Sequence, residues 1–200
     1  MRRIAPLPFV LALFAAGFAL AYALVLAGEG SSGGGRPLIG GAFSLTDTDG
    51  KPATDRDFRG KLMLVFFGYA HCPDVCPTEL QSMADVLSKL GNSASQVAPI
   101  FITLDPERDT PQALAAYVKN FDPRIVGLTG SPYAVASAAN AYRVYYRQAP
   151  GGSDGYTVDH SAFVYLMDRN GNYLTHFLFN TSPDAVAEEI KKHINEGNGA

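Results

Sequence analysis

Tryptophan is absent from this chain, and cysteine occurs only twice, as Cys72 and Cys76 in His-Cys-Pro-Asp-Val-Cys-Pro. A loop this short between two cysteines restricts the unfolded chain very little, so a structural staple is the weaker reading of the pair. General thioredoxin-type exchangers use tryptophan before Cys-x-x-Cys, with a proline facing the pair. This chain has the longer Cys-x-x-x-Cys spacing and no proline between Gly151 and Pro183, and His160 stands where that proline is expected. Neither sign of charge dominates: 16 Lys and Arg oppose 19 Asp and Glu for a formal net charge of -3, or -5 with Arg2 and Arg3 set aside. A mildly acidic domain argues against nucleic acid as the partner and favours a partner surface with some positive charge. No internal repeat is present.

The one long hydrophobic run is Leu7 to Ala27, 21 residues without a charge. About 20 apolar residues let a helix cross a bilayer, whereas the apolar part of a secretory signal covers about 7 to 15. An uncleaved anchor is therefore expected over residues 7–27, with cleavage after Val25-Leu26-Ala27 as the alternative. Arg2 and Arg3 place residues 1–6 in the cytoplasm and everything after Ala27 on the far face. No cysteine follows the run, which excludes a lipoprotein anchor, and the preceding segment is too short for a mitochondrial transit peptide. The expected location is a bacterial cytoplasmic membrane, single-pass, with the domain in the periplasm, where a disulfide can persist. Residues 28–36 form a Gly/Ser-rich tether with a reach of roughly 17 Å, and residues 37–200 are the size of one domain.

Strand and helix patterns alternate along that domain. A hairpin is expected from Phe43 to Thr46 and Lys51 to Ala53 around Asp49-Gly50, and a buried strand from Leu62 to Tyr69. A helix follows from Pro77 to Leu90, closed by Gly91, then a strand from Val97 to Leu104. The next helix runs from Pro111 to Asn120 with Thr110 at its cap, followed by a strand from Arg124 to Leu128. Ser131-Pro132 starts a helix to Tyr142, Val144 to Gln148 reads as extended, and Ala149 to Gly155 as a glycine-rich loop. A hairpin from Ala162 to Met167 and Tyr173 to Phe179, then a helix from Pro183 to Ile194, complete the chain. The expected fold class is α/β, a thioredoxin-like fold with a central mixed sheet flanked by helices.

Two thiols one helical turn apart after a buried strand can oxidise together or hold one soft metal ion together. Placement at a helix N-terminus is expected to lower thiol pKa values.

Phe67-Gly68-Tyr69, Cys72-Pro73-Asp74-Val75-Cys76-Pro77, Asp105-Pro106-Glu107-Arg108-Asp109-Thr110-Pro111 and Val158-Asp159-His160-Ser161 occur in the order and spacing of the Sco/SenC family, which the chain resembles from Pro37 to Ile194. The resemblance implies a membrane-anchored copper-binding metallochaperone that assists assembly of the dinuclear copper centre of cytochrome c oxidase. It implies Cys72, Cys76 and His160 as ligands of one copper ion per chain, and no further cofactor-binding residues. It also implies the copper-site subunit of the oxidase as partner, with other copper carriers and a periplasmic thiol reductase as further partners. Two thiolates and an imidazole suit Cu(I) and still permit Cu(II), and a structural zinc site normally takes four protein ligands.

Two enzyme readings compete with delivery. A dedicated thiol-disulfide reductase would use Cys72 and Cys76 as its catalytic redox pair, one attacking and one resolving. A peroxiredoxin is suggested by Val75-Cys76-Pro77-Thr78-Glu79, yet Pro73 and Tyr69 occupy the places where such sites need threonine and proline. Asp159 is expected to orient His160, face a partner or cap a turn. Asp105 to Pro111 reads as a charged loop that either docks a partner or forms a salt-bridged turn. His71 reads as a neighbour of the site rather than a ligand, and His176 and His193 have no partner motif. Met63, Met83 and Met167 read as core; Tyr142, Tyr145 and Tyr146 read as strand packing with hydroxyls reaching solvent. The anchor reading predicts that fractionation places the full-length chain in the membrane, with the domain open to protease added from the periplasmic side. A soluble chain beginning near Gly28 would identify the apolar run as a cleaved export signal.

Overall fold

Two uninterrupted apolar runs organise the domain. β3 (Leu62–Gly68) and β4 (Val97–Thr103) are buried at every position, the pattern of strands covered on both faces. The computed structural model describes residues 39–151 and 155–197. The anchor expected over residues 7–27 lies outside these, and among the described residues no helix is long and apolar enough to cross a membrane. β3 and β4 pair in parallel, and β5 (Val126–Thr129) extends the parallel set beside β4. Antiparallel strands close both sides: β8 (Phe163–Met167) and β9 (Tyr173–Leu178) beyond β3, β1 (Ser44–Asp47) and β2 (Pro52–Thr54) beyond β5. The sheet order is β2-β1-β5-β4-β3-β8-β9, the mixed sheet of the expected thioredoxin-like fold.

Helices cover both faces. α1 (Val75–Leu90) connects β3 to β4 and packs against the closing helix α4 (Pro183–Gly197). α2 (Pro111–Val118) starts where expected: the Thr110 hydroxyl accepts the Ala113 N–H at 3.3 Å and Pro111 fills the first turn. α3 (Pro132–Ala141) repeats the device with Ser131 and the Ala134 N–H at 3.2 Å. Adjacent residues of a strand face opposite sides, and the rings follow. Phe66 meets Phe101, which meets Tyr117 of α2, while Phe67 meets Tyr142 and Tyr165 on the α3 side. Met63, Met83 and Met167 are core, as expected.

Several local readings are corrected. α1 begins at Val75 rather than Pro77, because a proline in the first turn lacks only an N–H that has no helical partner anyway. Tyr142 is buried and its hydroxyl has no hydrogen-bond partner among the described residues, so it does not reach solvent; Tyr145 is exposed. The expected loop from Ala149 to Gly155 is partly strand. β6 (Tyr146–Pro150) and β7 (Tyr156–His160) form a separate antiparallel ribbon with Tyr146 opposite His160. The run Tyr-Thr-Val in β7 has the β-branched and aromatic character that favours pairing.

The acidic segment after β4 forms the salt-bridged turn, with Arg108 paired to Asp105, and its carboxylates turn inward: Asp105 and Asp109 are buried. Asp109 accepts the Thr103 hydroxyl at 2.6 Å and the Ala70 N–H at 2.9 Å, and its backbone carbonyl accepts the Thr129 hydroxyl at 2.8 Å. The ends of β4, β3 and β5 therefore converge on one residue. Burial pushes the Asp109 carboxyl up, while the bonds from Thr103 and Ala70 pull it down. Asp109→Ala is expected to lower stability by about 2–4 kcal/mol, because it strands the buried Thr103 hydroxyl and the part-buried Ala70 N–H; urea unfolding measures this, and a loss under about 0.5 kcal/mol would refute the bracing role.

Candidate metal centre

The centre forms where β3 ends. Gly68 is the last strand residue, and a Cβ there would lie 2.8 Å from the Cys76 sulfur and 2.9 Å from the Phe101 ring. Only the missing side chain lets the Cys76 thiol sit against the strand end. The chain then turns, with the Cys72 N–H donating to the Tyr69 carbonyl at 3.3 Å, before α1 begins. Cys72 thus lies outside the helix and Cys76 in its first turn. Asp74, the residue at the cap position, makes no side-chain cap bond; the Cys72 sulfur accepts the Cys76 N–H at 3.4 Å instead. A sulfur atom is aimed at the positive end of the helix.

The third residue arrives from β7. His160 Nε2 is 3.5 Å from the Cys76 sulfur although the residues are 84 apart in sequence. His160 Nδ1 is 3.1 Å from the Ser161 carbonyl oxygen, and since a carbonyl only accepts, Nδ1 is the protonated nitrogen and Nε2 presents its lone pair to the thiols. The ring also meets Phe66 and Tyr69 edge-on at 6.2 and 6.0 Å between centroids. The ligand atoms of Cys72, Cys76 and His160 all lie within 4.8 Å of one another. All three residues singled out from the sequence are brought together.

The two thiols are not equivalent. The Cys76 thiol holds Cys72 well below the ordinary thiol range by donating to its sulfur, with further help from the backbone N–H groups of Asp74 and Cys76, against the opposing effect of burial. Cys76 is driven upward by donating that bond, by burial and by the charge on Cys72. The expectation that both thiols are lowered thus holds for Cys72 alone, since a second negative charge in the same dry site is disfavoured. Cys72 is half-buried and Cys76 fully buried.

The surrounding residues resolve further expectations. Asp159 pairs with Arg147 at 3.0 Å directly across the β6–β7 ribbon, a cross-strand ion pair that does not touch the His160 ring. His71 Nδ1 lies 3.5 Å from Asp109 Oδ1, so it is a neighbour of the brace rather than a ligand. His176 contacts Tyr173 and Phe163, and His193 contacts Glu189, all away from the centre. Sequence reasoning missed the link from the acidic segment to the ribbon. Arg108 pairs with Asp105, its guanidinium lies 3.8 Å from the Tyr156 ring centroid, and the Tyr156 hydroxyl donates to Asp105 at 2.8 Å. A buried Asp paired with a partly buried Arg under an aromatic ring at the start of β7 is a tertiary signal that local pattern does not carry.

Comparison with known proteins places this geometry. The sequence model of the SCO1/SenC family matches residues 31–195. The structure of Bradyrhizobium japonicum ScoI with copper bound shares 46% identity over 78% of this chain and 99% of that one, at a TM-score of 0.73. Arabidopsis thaliana ScoI with copper bound shares 43% over 79% and 99%, at 0.75. The mitochondrial SCO1 homologue of Mus musculus is 45% identical over 163 residues, which are 80% of this chain and 57% of that protein. The chain therefore spans little more than half the length of this mitochondrial relative.

The asymmetry of the thiols sets a reactivity test. An unperturbed thiol gains thiolate about tenfold per pH unit below its pKa near 8.5, whereas Cys72 is already thiolate at neutral pH. Alkylation of the reduced protein by iodoacetamide is therefore expected to be nearly pH-independent at Cys72 from pH 6 to 8 and very slow at Cys76, read by mass analysis of the labelled peptides. A tenfold rise per unit at Cys72 would contradict the assignment.

Proposed function

We propose, from the premise that this chain belongs to the SCO1/SenC family, that it is a membrane-anchored metallochaperone carrying one copper ion for assembly of the dinuclear copper centre of cytochrome c oxidase. The observation that carries the proposal is the convergence of Cys72, Cys76 and His160 within 4.8 Å from two distant segments. Two sulfurs and an imidazole nitrogen match the softness of Cu(I), and the imidazole retains affinity for Cu(II). Copper is the cargo here, and three protein donors leave a coordination position for an incoming ligand of the acceptor. The copper-bound ScoI structures, at 46% and 43% identity, support the same cargo. The anchor over residues 7–27 and the tether over 28–36 would hold the domain near a membrane-bound oxidase subunit and raise its effective concentration.

Oxidised Cys72 and Cys76 would offer no thiolate, so a reversible disulfide would gate loading. The half-exposed Cys72 thiolate beside a buried, protonated Cys76 also favours a second reading, a reductase for the copper-site cysteines of the acceptor. Cys72 would attack the acceptor disulfide, Cys76 would lose its proton and displace the mixed disulfide, and the acceptor would leave with both thiols reduced while Cys72 and Cys76 end as a disulfide.

One experiment separates the readings: anaerobic Cu(I) titration of the reduced full-length protein, followed by transfer to the apo copper-site domain of the oxidase. One copper per chain is expected, with tight binding abolished in Cys72→Ser or Cys76→Ser, absent from the disulfide form, and weakened in His160→Ala, most for Cu(II). Wild-type affinity in the double cysteine variant would overturn the site. A His160→Ala protein that still reduces the acceptor disulfide but no longer transfers copper would show both activities in one site.

A further inference from the structure

A carboxyl group beside the metal centre takes no part in it. Glu79 lies one turn beyond Cys76 on α1, is only 6% exposed, and has no hydrogen bond or ion pair among the described residues. It lines a cleft of about 590 Å³ with Pro77 and Thr78 of its own helix, Phe121 after α2, and the turn from Asn180 to Pro183. Asp85 lines the same cleft one and a half turns further along α1, and no Lys, Arg or His lines it. Lys89 of the same helix is already paired with Asp184 at 2.7 Å. Burial alone lifts the Glu79 carboxyl to about 7, with no cation to oppose it. An apolar residue would fill the position without that desolvation cost, so packing gives no reason for an acid here.

We propose that this cleft receives a lysine or arginine side chain of the protein that docks over the metal centre, with the cation meeting the Glu79 carboxylate. The inference rests on the reading of the chain as a carrier that hands copper to a partner. Charge complementarity selects the occupant: an acidic cleft without a cation of its own, on a domain that is itself net acidic. The half-buried Phe121 ring and the Pro77 and Pro183 rings offer apolar walls for the aliphatic stem, and Phe121 offers a face for the cation. Position selects the partner, because Pro77 and Thr78 directly follow Cys76 and anything seated in the cleft lies against the first turn of the metal-site helix.

Two probes test this on the full-length protein in detergent, with Glu79→Gln as the variant and Glu188→Gln, an exposed acid on α4, as the control. With the apo copper-site domain of the oxidase as ligand, Glu79→Gln is expected to raise Kd tenfold or more and to flatten its salt dependence, while copper stoichiometry and affinity stay at wild-type values. With pentalysine at low ionic strength, amide resonances of Thr78, Phe121 and Thr181 are expected to shift in the wild type and in Glu188→Gln but not in Glu79→Gln. The pentalysine arm does not need the oxidase, so an oxidase domain that fails to bind while pentalysine still finds the cleft would count against that acceptor and for the cleft. Equal pentalysine shifts in Glu79→Gln and wild type, no shifts around the cleft, or copper affinity falling together with docking in Glu79→Gln would each overturn the proposal.

Discussion

The segment from Asp105 to Asp109 is the constraint on which the centre depends, because it holds both halves of the donor set. Its last residue fixes the thiol half: the Asp109 carboxylate takes the Ala70 N–H two residues before Cys72, and ties it to the end of β4 through Thr103. Its earlier residues fix the imidazole half. Asp105 and Arg108 grip Tyr156 at the start of β7, and β7 ends four residues later at His160. The ribbon β6–β7 shares no strand pairing with the main sheet, so these contacts are a principal register mark between the imidazole and the thiols. A buried Asp and a partly buried Arg are costly groups to place at the end of a central strand. Here Asp105 meets Arg108 and Tyr156, and Asp109 meets Thr103 and Ala70, while Arg108 Nη2 and Asp109 Oδ1 are buried without a hydrogen bond among the described residues, so the network specifies one geometry at a cost in desolvation.

Around that brace, the centre is built from a few local accommodations. Gly68 leaves room for a sulfur where any side chain would collide with it. The N-terminus of α1 has no oxygen cap, and a thiolate sulfur takes that place, so the dipole that stabilises a helix end also favours the charged form of Cys72. The same charge keeps Cys76 protonated. Its proton has two acceptors within the cluster, the Cys72 sulfur and His160 Nε2. A small site in low dielectric tolerates one negative charge far better than two, and a bound cation is what would reconcile both thiols to ionisation.

Much of this was legible in the sequence, for identifiable physical reasons. The apolar runs of β3 and β4, the Thr110 and Ser131 caps with their following prolines, and the closing hairpin and helix are local signals, and local energetics decided them. His160 was legible only through motif order, since nothing near it in sequence shows that its ring turns toward Cys76. The start of α1 is less legible, because Pro77 has the signature of a helix beginning yet is a tolerated residue of a first turn that opens at Val75. The loop reading of Ala149 to Gly155 overlaps the end of β6, and β7 falls where the sequence reading assigns no element, although Tyr156, Thr157 and Val158 carry strand character. The salt-bridged turn expected of the acidic segment is present in the Asp105–Arg108 pair, but the burial of Asp105, Asp109 and Tyr142 is not legible locally, because burial of a polar side chain depends on partners distant in sequence.

The difference between the two cysteines also bears on how cargo would leave. Cys76 and His160 are gripped by the strand end, by the Phe66 and Tyr69 rings and by the Ser161 carbonyl, whereas Cys72 sits in a half-exposed loop ahead of the helix. On the proposed reading, exchange with an acceptor would proceed most easily through the donor that a second protein can approach, and that donor is Cys72. A partner reaching Cys72 must lie across the first turn of α1, where Glu79 opens into its cleft on one flank and the exposed Asp74 stands at the cap. The surface that would release the ion is therefore acidic, and an acidic surface around a soft, weakly solvated cation selects partners by their charge while the sulfur ligands select the metal by its softness. On the proposed reading, recognition of the acceptor would rest on Glu79 of α1 and recognition of the metal on Cys72, Cys76 and His160, so each could be altered without abolishing the other.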